Sequence, residues 1–135
     1  MDNLRFAKVN LRVRDLDAAV AFARDVLGAE VLREKSTITF GEMALVRYAG
    51  LTIEIIAPDR PDSPLAQQIE KRGEGIDSIG FYADDFEGEA ARLEAEGVRF
   101  SSNDGRLAWI HPKNPFSTII ELLNSQAFPG GVEKM

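Results

Sequence analysis

Cysteine is absent from this chain of 135 residues, and histidine and tryptophan occur once each. Without cysteine there is no disulfide framework, no thiolate metal site and no cysteine nucleophile. No window approaches the roughly 20 consecutive apolar residues that a membrane-spanning helix needs. The N-terminus shows no basic region followed by an apolar run, so no signal peptide is visible. These absences give the expectation of a cytoplasmic protein. There is also no Lys/Arg block, and the formal net charge is −6. That balance argues against nucleic acid or an anionic membrane as the main partner. An anionic small ligand stays open, because local charge decides there.

What is present is ordinary globular material: 44% apolar and 28% charged residues, in a length that one domain with a real core accounts for. Residues 5–13 alternate, with Arg5, Ala7, Val9, Leu11 and Val13 on one side and Phe6, Lys8, Asn10 and Arg12 on the other. A period of two predicts a strand. Asp15 is a good helix N-cap, and Leu16, Ala19, Val20, Ala23, Val26 and Leu27 follow at helical spacing up to a stop at Gly28. Apolar and β-branched runs at 30–40, 43–48 and 51–57 complete a βαβββ module, about residues 4–58.

The second half repeats it. SIGFYA (78–83) predicts the strand, Asp85 the cap, and Phe86, Ala90, Leu93 and Gly97 the helix and its end. Strands are expected at 98–101, 107–110 and 117–123, giving a second module over about 75–124. Asp15 maps onto Asp85 and Lys8 onto Ser78, and LTIEIIA aligned with STIIELL sets Glu54 opposite Glu121. Matching cap, stop glycine and strand glutamate point to internal duplication. Between the halves lies a Pro-rich linker, about 59–74, with one short helix capped by Ser63, begun by Pro64 and ended by Gly73. Residues 125–135 have no periodicity and are expected to be a mobile tail.

A duplicated βαβββ unit of this size resembles the vicinal oxygen chelate superfamily of glyoxalases, bleomycin-resistance proteins and extradiol dioxygenases. Within it the chain most resembles the methylmalonyl-CoA epimerases, through VRDLDAAVAFARDVLG, IEIIAPDRPDSPLAQQIEKRGEGI and IHPKNPFSTIIEL. The resemblance implies an α+β fold in which two half-barrels enclose a central cavity, and usually a homodimer. It also implies a divalent metal held by a histidine, a glutamate or glutamine, a second histidine and a glutamate. Those positions carry Lys8, Glu54, Ser78 and Glu121 here: both carboxylates are present, and neither histidine is. The one histidine, His111, lies in the HPK segment instead.

A protonated amine cannot ligate a cation and repels one. The expectation is therefore no cofactor, with the ammonium of Lys8 replacing a metal's charge and pairing with Glu54 and Glu121. If a metal does bind, those two glutamates are its ligands. The resemblance also implies a glutamate base after the second strand. The corresponding stretch KSTITFG offers Ser36, Thr37 and Thr39, with Glu34 before it and Glu42 after it.

Lys8, Glu54 and Glu121 are thus the candidate catalytic residues. Lys8 can bind an anion, transfer a proton or form a Schiff base, and sequence does not choose among these. Asn10, Arg12, Ser78 and Tyr82 share its phase and are expected to contact substrate. Arg12 has two equal readings, an anion clamp or an ion pair to a neighbouring acid. His111 and Lys113 sit where the resemblance implies a phosphate or thioester contact, although a structural turn explains HP alone. Trp109 and Phe116 either line the pocket or belong to the core. Three functions follow: a metal-independent isomerase or lyase acting on a small acyl, carboxylate or carbonyl substrate, such as an acyl-CoA; a non-catalytic protein that sequesters a small molecule; or a metal-dependent epimerase with a rebuilt site.

Overall fold

The computed structural model describes residues 3–134. Its strands are β1 (Leu4–Arg12), β2 (Glu30–Ile38), β3 (Gly41–Tyr48), β4 (Leu51–Ala57), β5 (Gly75–Ala83), β6 (Phe100–Asn103), β7 (Leu107–Ile110) and β8 (Ile119–Asn124). The helices are α1 (Leu16–Ala21), α2 (Pro64–Arg72) and α3 (Phe86–Ala95). The α+β class and the βαβββ order expected of each half are both present. Two structural units result. One runs from Lys8 to Asp77, and the other joins the residues up to Ala7 to those from Ser78 onward.

Polar side chains start each helix. Asp15 Oδ1 accepts from Ala18 N at 3.0 Å, Ser63 Oγ from Ala66 N at 3.1 Å, and Asp85 Oδ1 from Gly88 N at 3.0 Å. Each bond satisfies one of the unpaired first-turn amides. Gly88 has a steric reason to be glycine, since a Cβ there would collide with the capping carboxylate of Asp85. The first helix departs from the expected form. Regular α-helix stops at Ala21, and Phe22–Val26 forms a π turn in which Leu27 N donates to Phe22 O. In α3 the stop at Gly97 is as expected, with φ +85°. The amide of Val98 bonds back to Leu93 O at 3.0 Å to close the helix, and this Schellman-type return consumes residues 97–98. Hence β6 begins at Phe100, two residues later than the sequence pattern predicts.

Within the Lys8–Asp77 unit the strand order is β2-β3-β4-β1, with β1 parallel to β4 and the other pairs antiparallel. The β3–β4 hairpin is covered on both faces. Leu16 and Val20 of α1 and Ala23 of the π turn pack on Ala44, Val46, Ile55 and Ala57. Leu65 and Ile69 of α2 pack with Met43, Leu45 and Ile56. Glu54 belongs by alternation to the Leu45–Ile56 face, the face that also carries Asn10.

The second unit orders its strands β5-β8-β7-β6, with β5 parallel to β8. One face packs Ala83, Ala108 and Leu122 against Phe86 of α3. The opposite face holds Ser78, Gly80 and Tyr82 beside Ile119, Glu121 and Leu123. The duplication extends to register: Glu54 lies across from Asn10, and Glu121 across from Gly80.

The segment expected to be a mobile tail is packed instead, apart from Met135, which lies outside the described residues. Two 3₁₀ turns, Ser125–Ala127 and Val132–Lys134, set Phe128 and Val132 into a cluster with Ala7, Tyr82 and Leu123. Tyr82 Oη accepts from Val132 N at 2.7 Å. Apolar anchors separated by a Gly-Gly turn leave no regular period to read. Replacing Phe128, 6% exposed, by alanine is expected to lower unfolding free energy by about 3 kcal/mol. The same change at Phe116, 72% exposed, should stay within about 0.5 kcal/mol. Urea unfolding of the two variants checks both values.

Candidate functional site

The polar stripe of β1 is the buried one: Lys8, Asn10 and Arg12 are 5–7% exposed, whereas Val9 and Leu11 are only half-buried. Lys8 Nζ lies 2.8 Å from Glu54 Oε1, with the two side chains 7% and 15% exposed. Parallel pairing of β1 with β4 brings together two residues 46 positions apart in sequence. A charge so far removed from water persists only with a partner, and Glu54 is one.

Arg12 is engaged by its own chain. Its Nε donates to Gly73 O and its Nη1 to Ile76 O, both at 2.8 Å, and Nη1 lies 3.3 Å from Asp77 Oδ1. These bonds hold the α2–β5 connection against β1. Arg14 adds to the same junction, its backbone amide donating to Glu74 Oε1 at 2.8 Å.

In the second unit Glu121, 5% exposed, accepts from Trp109 Nε1 at 2.7 Å through Oε2. The two residues are direct partners across β7 and β8. Sequence treats Trp109 only as pocket lining or core, because strand register is not visible in a single segment. Ser78, 3% exposed, and Tyr82, 7% exposed, lie on the Glu121 face of β5–β8. Tyr82 is committed to the C-terminal cluster through its bond with Val132, and the Arg5 guanidinium stacks over its ring at 5.2 Å.

His111 and Lys113 belong to a turn organised by Asn114, a residue the sequence pattern did not single out. Asn114 Nδ2 donates to His111 O at 2.7 Å and Thr118 O at 2.9 Å, and its Oδ1 accepts from Phe116 N at 2.8 Å. His111 Nδ1 accepts from Lys113 N at 2.9 Å. The lysine side chain is exposed.

The stretch where a base is implied places Ser36 on the Glu54 face, paired across from Met43, with Ser36 Oγ 3.3 Å from its sulfur. Glu34 is exposed at the β2 irregularity, and Glu42 pairs with Ala57 on the opposite face from Glu54. Among the described residues, no group of three or more His, Cys, Asp or Glu side chains is placed to hold a metal ion. The donor chemistry at the implied position does not fit a metal either, since the ammonium of Lys8 already lies at hydrogen-bonding distance from Glu54.

Two measurements test this geometry. Lys8→Met leaves Glu54 without its cation and is expected to cost about 3 kcal/mol of stability, part of which Lys8→Met combined with Glu54→Leu recovers. Denaturant unfolding of the single and double variants gives the coupling. His111 has a pKa below its ordinary 6.5, first because burial disfavours the imidazolium and then because Arg99 and Lys113 repel it. The unfolded chain therefore binds more protons just below pH 6.5. The contribution of neutral His111 to stability is complete above that pH and is lost as pH falls through the folded-state pKa. An NMR titration of this sole histidine should show a midpoint below 6.5.

Comparison with known proteins agrees with the fold. Residues 8–109 match the family described as the Glyoxalase/Bleomycin resistance protein/Dioxygenase superfamily. The human mitochondrial methylmalonyl-CoA epimerase is 26% identical over 127 residues, covering 87% of this chain and 72% of that protein. The ethylmalonyl-CoA/methylmalonyl-CoA epimerase of Cereibacter sphaeroides is 29% identical over 128 residues, covering 87% and 96%. A solved methylmalonyl-CoA epimerase in complex with methylmalonyl-CoA and NH4+ superimposes with a TM-score of 0.77 at 26% identity, over 91% of this chain and 95% of that one. With a family match over most of its length and the paired βαβββ modules to carry it, the chain belongs to the glyoxalase/bleomycin resistance protein/dioxygenase superfamily.

Proposed function

We propose that this protein is an epimerase-like enzyme that needs no resident metal and acts on a small acyl or carboxylate substrate, an acyl-CoA thioester by similarity to its relatives. The observation that carries the reading is the buried 2.8 Å contact between Lys8 Nζ and Glu54, at the strand position where the family resemblance implies a metal-binding histidine. Proton removal next to a thioester carbonyl builds negative charge on the carbonyl oxygen. An ammonium fixed in a water-poor site stabilises that charge as it forms, and its hydrogen-bond donors are already oriented. Glu54, 2.8 Å from the ammonium, holds it in place and aimed. A related epimerase was solved together with methylmalonyl-CoA and NH4+, and a lysine side chain carries the same kind of cation.

The serine that stands where a β2 carboxylate is implied favours one second reading, a protein that binds an acyl ligand without turning it over. Methylmalonyl-CoA incubated in D2O with chelator-treated protein separates the two. Enzymatic turnover gives deuterium at the carbon α to the thioester, and Lys8→Met should slow it by about 10²–10³-fold. Exchange that appears only after a divalent metal is added, or that persists unchanged in Lys8→Met, would overturn the metal-independent reading. Ligand-dependent thermal stabilisation without exchange leaves the binding protein.

A further inference from the structure

We propose that Arg99, His111 and Lys113 form a binding site for a phosphate-type dianion, either a free ion or the phosphate group of a larger ligand. The residues belong to one structural unit, and the site stands apart from the chemistry proposed for Lys8. Phe100 pairs with Ile110 across β6 and β7. The ladder continues one step further, where His111 N donates to Arg99 O at 2.9 Å. Arg99 and His111 are thus cross-strand neighbours whose side chains leave the same face, with β-carbons about 5 Å apart. Lys113 follows in the turn that Asn114 braces.

The site offers donors of one sign. His111 Nδ1 accepts from Lys113 N at 2.9 Å, so the neutral ring carries its proton on Nε2, which donates. The half-buried ring is therefore fixed by its own loop, while the exposed guanidinium of Arg99 and ammonium of Lys113 contribute only N–H groups. Among the described residues no carboxylate is paired with any of the three. Burial disfavours the imidazolium, and the charged groups that act on it, Arg99 and Lys113, both repel it. The packed strands bring no compensation. β6 is uncharged from Phe100 to Asn103, as are Ile119 and Ile120 of β8. Glu121 accepts from Trp109, and Glu96, after α3, acts on Arg92.

Like charges set side by side across strands oppose each other. A dianion turns that repulsion into attraction, and its tetrahedral oxygens accept from several directions at once. Its bonds to a guanidinium and an ammonium are charge-assisted. A single carboxylate has half the charge and only two oxygens for the same three donors.

His111 is the only histidine, so its ring signals in an NMR titration read the site directly. Inorganic sulfate is the first probe, because it stays a dianion while the imidazole titrates. Replacing chloride by sulfate at equal ionic strength is expected to raise the His111 midpoint by about half a unit. By linkage, that means about threefold tighter binding to the imidazolium than to the neutral ring. Arg99→Gln and Lys113→Gln keep the backbone bonds to His111. Each should raise the midpoint in chloride by removing a repelling charge, and weaken sulfate binding about fivefold. Equal midpoints in sulfate and chloride would overturn the proposal. A sulfate response that survives in the Arg99→Gln, Lys113→Gln double variant would also sink it, as an adventitious ion only. Coenzyme A and inorganic phosphate then separate the two sources. Half-saturation of the His111 signals by coenzyme A at about tenfold lower concentration assigns the site to the phosphate group of a larger ligand, and equal concentrations assign it to the free ion. Neither readout involves turnover, so failure of the site and failure of the proposed reaction are distinguishable.

Discussion

Parallel pairing between the first and last strand of each module is the constraint on which the other features rest. Parallel neighbours cannot be joined by a tight turn, so each module must insert a helix and a hairpin before the chain returns. The helix has to bury its apolar side on the strands it crosses. Once α1 has packed on Ala44, Val46, Ile55 and Ala57, the alternate residues of the same strands are committed to the other face. Glu54 is among them. A slip of one residue in β4 would turn Glu54 onto the α1 side and Ile55 away from it, which ties the position of the carboxylate to the whole core of the unit.

That commitment explains how a lysine tolerates burial in β1. Desolvating an ammonium costs several kcal/mol, and only a close counter-charge with fixed geometry offsets it. Strand pairing supplies the geometry without help from flexible loops. A cation tethered to the backbone differs from a bound metal ion in being unable to dissociate and in having no vacant coordination position to offer. It is limited to hydrogen bonding and electrostatic attraction, a narrower chemistry than a Lewis acid has.

The two modules share register and have diverged in what surrounds their equivalent carboxylates. Glu54 meets an ammonium from β1, and Glu121 meets an indole from β7. Two polar residues near the strand ends bond to their own chain. Arg12 binds two backbone carbonyls and Asp77, joining the end of α2 to the start of β5, and Tyr82 receives the amide of Val132.

Much of this was legible from residue order. Alternation over 5–13, the caps Asp15, Ser63 and Asp85 and the stop glycines are local signals, and they located the elements, although β5 starts at Gly75 and regular α1 ends at Ala21. The seventy-residue repeat from Lys8 to Ser78 revealed the duplication, and through it Glu54 and Glu121 as corresponding positions. What escaped depends on which backbones lie side by side. The bond from Trp109 to Glu121, the clamp formed by Arg12 and the docking of Phe128 and Val132 each need a strand register or a turn geometry that no single segment encodes. Sequence by itself determined two βαβββ modules and a lysine at the strand position where the family resemblance implies a histidine. Only the tertiary structure decided that Lys8 meets Glu54 in a buried pair, because the energy that sets the pairing register comes from apolar faces distant in sequence.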